Sequence, residues 1–259
     1  MKVVVVGGTG KIGSRTVNNL RRQGHETVAA APETGVNTIT GEGLAAALRG
    51  ASVVVDVSDS PAWDDAAVLK FFETSTRNQL AQEAAAGVGH HVALSVVGTD
   101  RLSESGYFRG KIVQEKLIRE SRNPYTIVHA TQFFEFLKKL ADLSASNGEI
   151  RMPHVRFQPM AADDVGRAVA GIALRAPANR VVEIAGPEPF WLDELVQRRL
   201  RALGDPRRVV ADPEARYSGA KLAENTLLPG KDAETGTIRF ETWLARAGAP
   251  RPDAQAPAA

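Results

Sequence analysis

Two rhythms of apolar residues alternate along this chain. Short β-branched runs such as KVVVV, Lys2 to Val6, show no polar face and read as strands buried on both sides of a parallel sheet. Between them lie longer stretches in which apolar residues recur on one helical face, as Ile12, Val17 and Leu20 do before the stop at Gly24. The alternation predicts strands over residues 2–6, 27–31, 52–57, 91–97 and 125–129, and helices over 11–23, 42–49, 63–86 and 108–120. Strand and helix in strict turn imply the α/β class and a Rossmann-type doubly wound parallel sheet.

Past Ala130 the pattern loosens to a helix over 132–144, a short strand over 155–158, a helix over 163–174 and a strand over 181–184. No Pro/Gly/Ser-rich linker divides the two halves. The expectation is one unit: a dinucleotide-binding core over 1–130, a smaller C-terminal substrate-binding part over 131–247 packed on it, and a disordered Pro- and Ala-rich tail over 248–259.

Composition narrows the function classes. With 259 residues, 43% apolar and 24% charged, the chain is ordinary for a globular protein, and disordered or collagen-like classes are excluded. Lys and Arg number 32 against 30 Asp and Glu, a net charge of +2, so nucleic acid is not an expected partner. The absence of cysteine removes disulfides, thiolate catalysis and Cys-ligated metals. His90 and His91 are neighbours in a strand, point to opposite faces and cannot chelate one ion, so no metal site is expected. A first strand beginning at Lys2 and the lack of about 18 consecutive apolar residues lead to the expectation of a cytoplasmic protein without membrane contact. A homodimer is expected only because two-fold assemblies are the commonest.

The chemistry starts at GGTGKIG, where the first strand hands over to the first helix. Gly7, Gly10 and Gly13 let backbone approach a pyrophosphate, and helix N–H groups bind it, so Gly7, Thr9, Gly10, Lys11, Ile12 and Gly13 are candidate cofactor residues. The second strand ends in AAAPETG, which offers no acid at Ala30 or Ala31 for a ribose 2′-OH. Glu33 follows Pro32 and is expected to turn away. Lys11 and Arg15 could meet a 2′-phosphate, so NADP is favoured, with NAD as the alternative. Asp56, ending the third strand, is either a cofactor-positioning residue or a cap for Ser58.

Ser95 stands at the C-terminal end of HVALSVV, the sheet edge where open α/β sheets bind ligands. Tyr107 comes twelve residues later and Lys111 four after that, so a helix starting there puts phenol and ammonium on one face. An adjacent lysine favours the phenolate and lowers the tyrosine pKa toward the range of general acid–base work. Of the aromatics after the strand ending at His129, Phe133, Phe134 and Phe136, at least one belongs in the core. Thr131, Gln132 and Phe133 are the candidate substrate contacts.

In GGTGKIG, Ser95 and YFRGK at Tyr107 to Lys111, the chain resembles the short-chain dehydrogenase/reductase superfamily, most closely its atypical, NmrA-like NAD(P)-binding branch. The resemblance runs from Met1 to about Ala211 and takes in PYTIVHATQFFEF, MAADDVGRAV and VVEIAGPE. It implies that Tyr107 donates a proton to a carbonyl, Lys111 holds the ribose and lowers the tyrosine pKa, and Ser95 polarises the carbonyl. His129 stands where the branch commonly has Arg, and no asparagine takes the relay position of other branches, Asn78 being too close to Ser95 in sequence. The implied function is NAD(P)H-dependent reduction of a carbonyl-like group on a small to medium, largely apolar substrate. The alternatives are a non-catalytic NAD(P)-sensing regulator and an epimerase or dehydratase with tightly bound cofactor.

Overall fold

The computed structural model describes residues 1–146 and 148–247. The first half follows the expected alternation: β1 (Lys2–Val6), α1 (Lys11–Arg22), β2 (Glu26–Ala30), α2 (Leu44–Leu48), β3 (Val53–Asp56), α3 (Asp65–Ala86), β4 (His90–Val96), α4 (Gly106–Glu120) and β5 (Tyr125–Ala130). The second half holds α5 (Leu137–Leu143), β6 (Ala145–Ser146), β7 (Glu149–Met152), β8 (Arg156–Phe157), α6 (Ala162–Ala173), β9 (Val181–Ala185), β10 (Phe190–Trp191), α7 (Leu192–Ala202), β11 (Arg208–Ala211), β12 (Glu234–Thr235) and α8 (Phe240–Ala247). The expected tail lies outside the described residues.

Seven strands form one parallel sheet in the order β12-β9-β5-β4-β3-β1-β2. Both of its faces are apolar because every β1 residue from Val3 onward is buried. Val3, Val5, Val53 and Val55 pack with Val17 and Leu20 of α1 and Val165 and Val169 of α6. Val4, Val6 and Val54 face Leu44 and Leu48 of α2, while Ala93 and Ile127 meet Leu80 of α3 and Ile118 of α4. The strand order reverses between β1 and β3, and a crevice opens there beyond the strand ends, as the topology requires.

The chain does not divide in space at residue 130. After α5 it returns to the sheet, where β9 pairs with β5, β12 pairs with β9, and α6 lies on α1. The rest of the second half packs Leu137, Leu192, Leu195, Leu200, Phe240 and Trp243 into a core that also takes in Leu102 and Phe108.

The helix expected over 132–144 starts later than expected. Gln132 and Phe133 run extended beside Met160, with Met160 N–H donating to Gln132 O at 2.8 Å and Phe134 N–H to Met160 O at 3.0 Å, so helix starts only after a single tight turn at Phe134–Phe136. Asp163 and Asp164 stand in the first turn of α6, which has no side-chain cap. Asp163 pairs with Arg15, and buried Asp164 accepts from the N–H groups of Thr237 (2.8 Å) and Ile238 (2.7 Å), fastening the segment before α8. His90 and His91 face opposite sides of β4, as expected: His90 meets Thr126 and His91 meets Glu83.

Candidate functional site

The crevice is a cavity of about 760 Å³, within the range of small-molecule and cofactor sites. At one end lies the glycine turn. Gly7 takes φ +73, a left-handed conformation suited to glycine, and a Cβ on Gly13 would stand 2.0 Å from the Gly7 carbonyl oxygen. These two positions let α1 start directly behind the turn. The first turn of α1 has no acidic residue and no side-chain cap, so its N–H groups and positive dipole end stay available to an anion. Gly7, Thr9, Gly10, Lys11 and Ile12 line the cavity, and Gly13 acts behind them through close packing. This donor set and cradle fit the pyrophosphate of a dinucleotide.

Glu33 corrects the reading of the second strand's end. Pro32–Thr34 form one tight turn in which the Thr34 hydroxyl accepts from Ala31 N–H (2.9 Å), and this turn brings Glu33 back to the glycine loop. There its carboxylate accepts from the Thr9 hydroxyl at 2.5 Å, which holds its pKa below the ordinary value. Both residues line the cavity.

Asp56 is not among the residues that line the cavity. It is buried, and its oxygens accept from Ser58 N–H (2.9 Å), Ser58 Oγ (2.6 Å), Gln79 Nε2 (3.0 Å) and Gln114 Nε2 (2.9 Å). It shapes the loop after β3 and, through Gln114, anchors Lys111, whose Nζ donates to Gln114 Oε1 and to Leu94 O at 2.7 Å. Burial lowers the Lys111 pKa against the pull of Asp56, Asp59 and Glu115, and its ammonium lies 4.5 Å from the Phe72 ring centre.

Tyr107 and Lys111 share α4 as expected, and both line the cavity. The expected lowering of the tyrosine pKa is not found. Burial, the neighbouring Asp59 carboxylate and Tyr217 raise it well above its usual value, so the phenol holds its proton. Asp59 itself is raised by burial, opposed by Lys111.

Ser95 also departs from expectation. It is 2% exposed and donates its hydroxyl to Glu115 Oε1 at 2.6 Å; the same carboxylate oxygen meets His129 Nε2 at 2.8 Å, and Glu115 Oε2 accepts from Arg119 at 2.7 Å. Burial pushes the Glu115 pKa up, but His129, Ser95 and Arg119 together bring it below the ordinary value. Ser95 lines the cavity, and in this structure its single O–H is directed into a buried cluster under α4. His129, standing where a longer Arg was the pattern, completes this cluster.

Thr131, Gln132 and Phe133 line the cavity, as expected, together with Phe136. Phe134 goes to the core, 5.3 Å from the ring centres of both Phe240 and Trp243. Trp63, Lys139 and Tyr217 are among the wall residues that carried no sequence signal. Lys139 Nζ sits 3.8 Å from the Trp63 ring centre, a cation–π contact between the β3–α3 loop and α5.

Among the described residues no helix is long and apolar enough to cross a membrane. No protein-family model matches the chain. It is 25% identical over 244 residues to the Photosystem II assembly factor Ycf39 of Cyanophora paradoxa, covering 87% of this chain and 75% of that one. A short-chain dehydrogenase/reductase superfamily protein from Agrobacterium tumefaciens, solved with bound NAD, superposes with a TM-score of 0.68 at 18% identity over 96% of each chain. An NADPH-dependent quinone oxidoreductase (QOR2) from Escherichia coli gives 0.67 at 16% identity, over 95% of this chain and 99% of that one. Along nearly its whole length, the chain shares the Rossmann-type α/β fold of these two structures.

Proposed function

We propose that the protein is an NAD(P)H-dependent oxidoreductase that reduces a carbonyl-like group on a small to medium, largely apolar molecule. The observation that carries this reading is the continuity of one cavity from the glycine turn to the Tyr107 phenol. Gly7, Thr9, Gly10, Lys11 and Ile12 would hold the dinucleotide, and the N–H that Lys111 has left over would serve a ribose hydroxyl. Bound NAD(P)H would supply the hydride that adds to the carbonyl carbon. The chain's own part is the proton. Tyr107 passes its phenol proton to the carbonyl oxygen as the alcohol forms, and the phenolate left behind recovers a proton from solvent. Phe133, Phe136 and Trp63 flank the substrate with apolar surface, which limits water at the reacting carbon.

Within this reading Glu33 favours NADH over NADPH, reversing the preference read from the sequence. A carboxylate beside the glycine turn accepts from a ribose 2′-OH and repels a 2′-phosphate. Arg15, a candidate partner for that phosphate, is paired with Asp163. A second reading, dinucleotide binding coupled to a protein partner without turnover, is supported by the similarity to a chain named as an assembly factor.

Titration with NADH and NADPH, followed by nicotinamide fluorescence and then by absorbance decay with ketones, aldehydes and quinones, tests both readings. Binding with acceptor-dependent decay is the expected result. Binding without decay on every acceptor selects the second reading, and no binding of either nucleotide overturns both.

A further inference from the structure

We propose that Tyr217, and not Ser95, supplies the second hydrogen bond to the substrate oxygen, with Gln132 positioning its phenol. The assignment rests on the reductase reading for its role in turnover, but the polarisation of a bound carbonyl can be read without turnover.

Two donors on one oxygen polarise a carbonyl far better than one, because the charge developing on that oxygen in the transition state meets both. Tyr107 supplies one. Ser95 cannot supply the other while its only O–H is held by Glu115 at 2.6 Å, inside a cluster that His129 and Arg119 complete. The cavity wall offers a different hydroxyl. Tyr217 is 5% exposed, lines the same cavity as Tyr107 and belongs to the apolar cluster against which Tyr107 packs. Burial raises its pKa, so at neutral pH it is a donor.

The backbone around Tyr217 is built to hold it there. Tyr217 and Ala220 exchange N–H···O bonds of 2.8 and 2.9 Å across a two-residue turn whose central residues, Ser218 (φ 48) and Gly219 (φ 89), are both left-handed. Arg216 clamps this turn, donating to Gly219 O at 3.0 Å and to Glu104 at 2.6 Å. Glu104 lies three residues before Tyr107, so the two tyrosines are tied to one local frame.

Gln132 supplies the independent observation. It is 7% exposed and lines the same cavity, yet neither its amide nitrogen nor its oxygen completes a hydrogen bond among the described residues. Buried carboxamides are rarely left in that state without a functional reason. Its neighbour is the Tyr217 hydroxyl, whose pKa it lowers against the effect of burial. Gln132 Nε2, unpaired in this structure, would on ligand binding donate to the Tyr217 oxygen, which makes that oxygen an acceptor on one side and leaves the phenol hydrogen for the ligand. Gln132 is then a positioning residue, not the substrate contact expected from the sequence.

The test uses 4-(dimethylamino)cinnamaldehyde, a flat aldehyde whose absorption band moves to longer wavelength as its carbonyl oxygen accepts hydrogen bonds. It is added to the full chain with NAD⁺, which carries no hydride. A shifted band is expected for the wild type, with most of the shift lost in Tyr217→Phe and kept in Ser95→Ala. An unchanged shift in Tyr217→Phe, its loss in Ser95→Ala, or no shift in the wild type overturns the proposal. Tyr217→His, which keeps an N–H donor, should restore part of the shift, and unchanged nucleotide titration verifies that the variants are folded. With NADH, Tyr217→Phe should turn over about 10²-fold more slowly. A shifted wild-type band with no oxidation of NADH refutes the reductase reading while the assignment of Tyr217 stands.

Discussion

Ser95 donates its hydroxyl to Glu115 at 2.6 Å, and that bond separates two roles that the position of Ser95 at the sheet edge had joined. The residue lies at the ligand-binding end of β4, but its donor belongs to the packing of α4 on β4 and β5. Ser95→Ala is therefore expected to act on stability. A hydrogen bond to a charged partner contributes about 1.5–3 kcal/mol, and Glu115 retains His129 and Arg119, so a loss near the lower figure is expected in urea unfolding. Nucleotide affinity should be unchanged; a Ser95→Ala protein of wild-type stability would refute this.

Burial, and after it the Asp59 charge, raises the pKa of Tyr107, so Asp59→Asn removes one cause and leaves the other. The phenolate of that variant should form at lower pH than in the wild type, followed by its ultraviolet difference absorbance. If Tyr107 is the proton donor, the alkaline limb of kcat/KM must move in the same direction, because the donor is lost once ionised. An alkaline limb that moves upward or stays fixed in Asp59→Asn would remove Tyr107 from the donor role.

On the proposed reading, Glu33 sets the choice of nucleotide. Glu33→Gln keeps the contact with Thr9 and removes the charge that a 2′-phosphate would meet. The ratio of NADPH to NADH affinity should rise by about tenfold, equivalent to about 1.4 kcal/mol. Parallel fluorescence titrations measure it, and an unchanged ratio would mean that Glu33 does not face the adenosine ribose.

Much of this site was legible because parallel α/β sheets put function at strand ends. The glycine turn, Tyr107, Lys111, Thr131 and Phe133 all sit where the alternation of strand and helix places them. What pattern could not convey was the partner of each polar group. Ser95 finds Glu115 twenty residues away, and Asp56 finds Gln79 and Gln114 on two different helices. Glu33 was misjudged because Pro32 suggests departure from the strand, whereas the Thr34 hydroxyl bonds back to Ala31 and turns the chain inward. A Thr two residues beyond a Pro was the available signal for that turn. Tyr217 had none, since it is delivered by an isolated turn between irregular segments and not by a periodic element. The return of β9 and β12 to the sheet was equally hidden, because pairing between strands distant in sequence leaves no local mark.

The buried histidine pair of β4 gives the fold a pH dependence with a definite sign. His90 is held at a pKa of about 4 against an ordinary 6.5, first by burial and then by the charge of His91. Its Nε2 lies 2.9 Å from Thr126 Oγ1, which also accepts from Ala178 N–H, so the Thr126 hydrogen is free to reach a neutral imidazole. With the folded value below the unfolded one, the unfolded chain binds more protons between pH 4 and 6.5. Stability is thus fully present above the upper value and falls as pH drops through the window, by on the order of 3 kcal/mol. His91 acts in the opposite sense. Burial lowers its pKa, but Glu83 more than compensates, so its contribution is complete below pH 6.5 and is lost as pH rises through its elevated folded value. Replacing His90 should separate the two. In His90→Gln the acid-side loss of urea resistance should shrink while the decline above pH 6.5 persists. An acid limb as steep as that of the wild type would place the titrating group elsewhere.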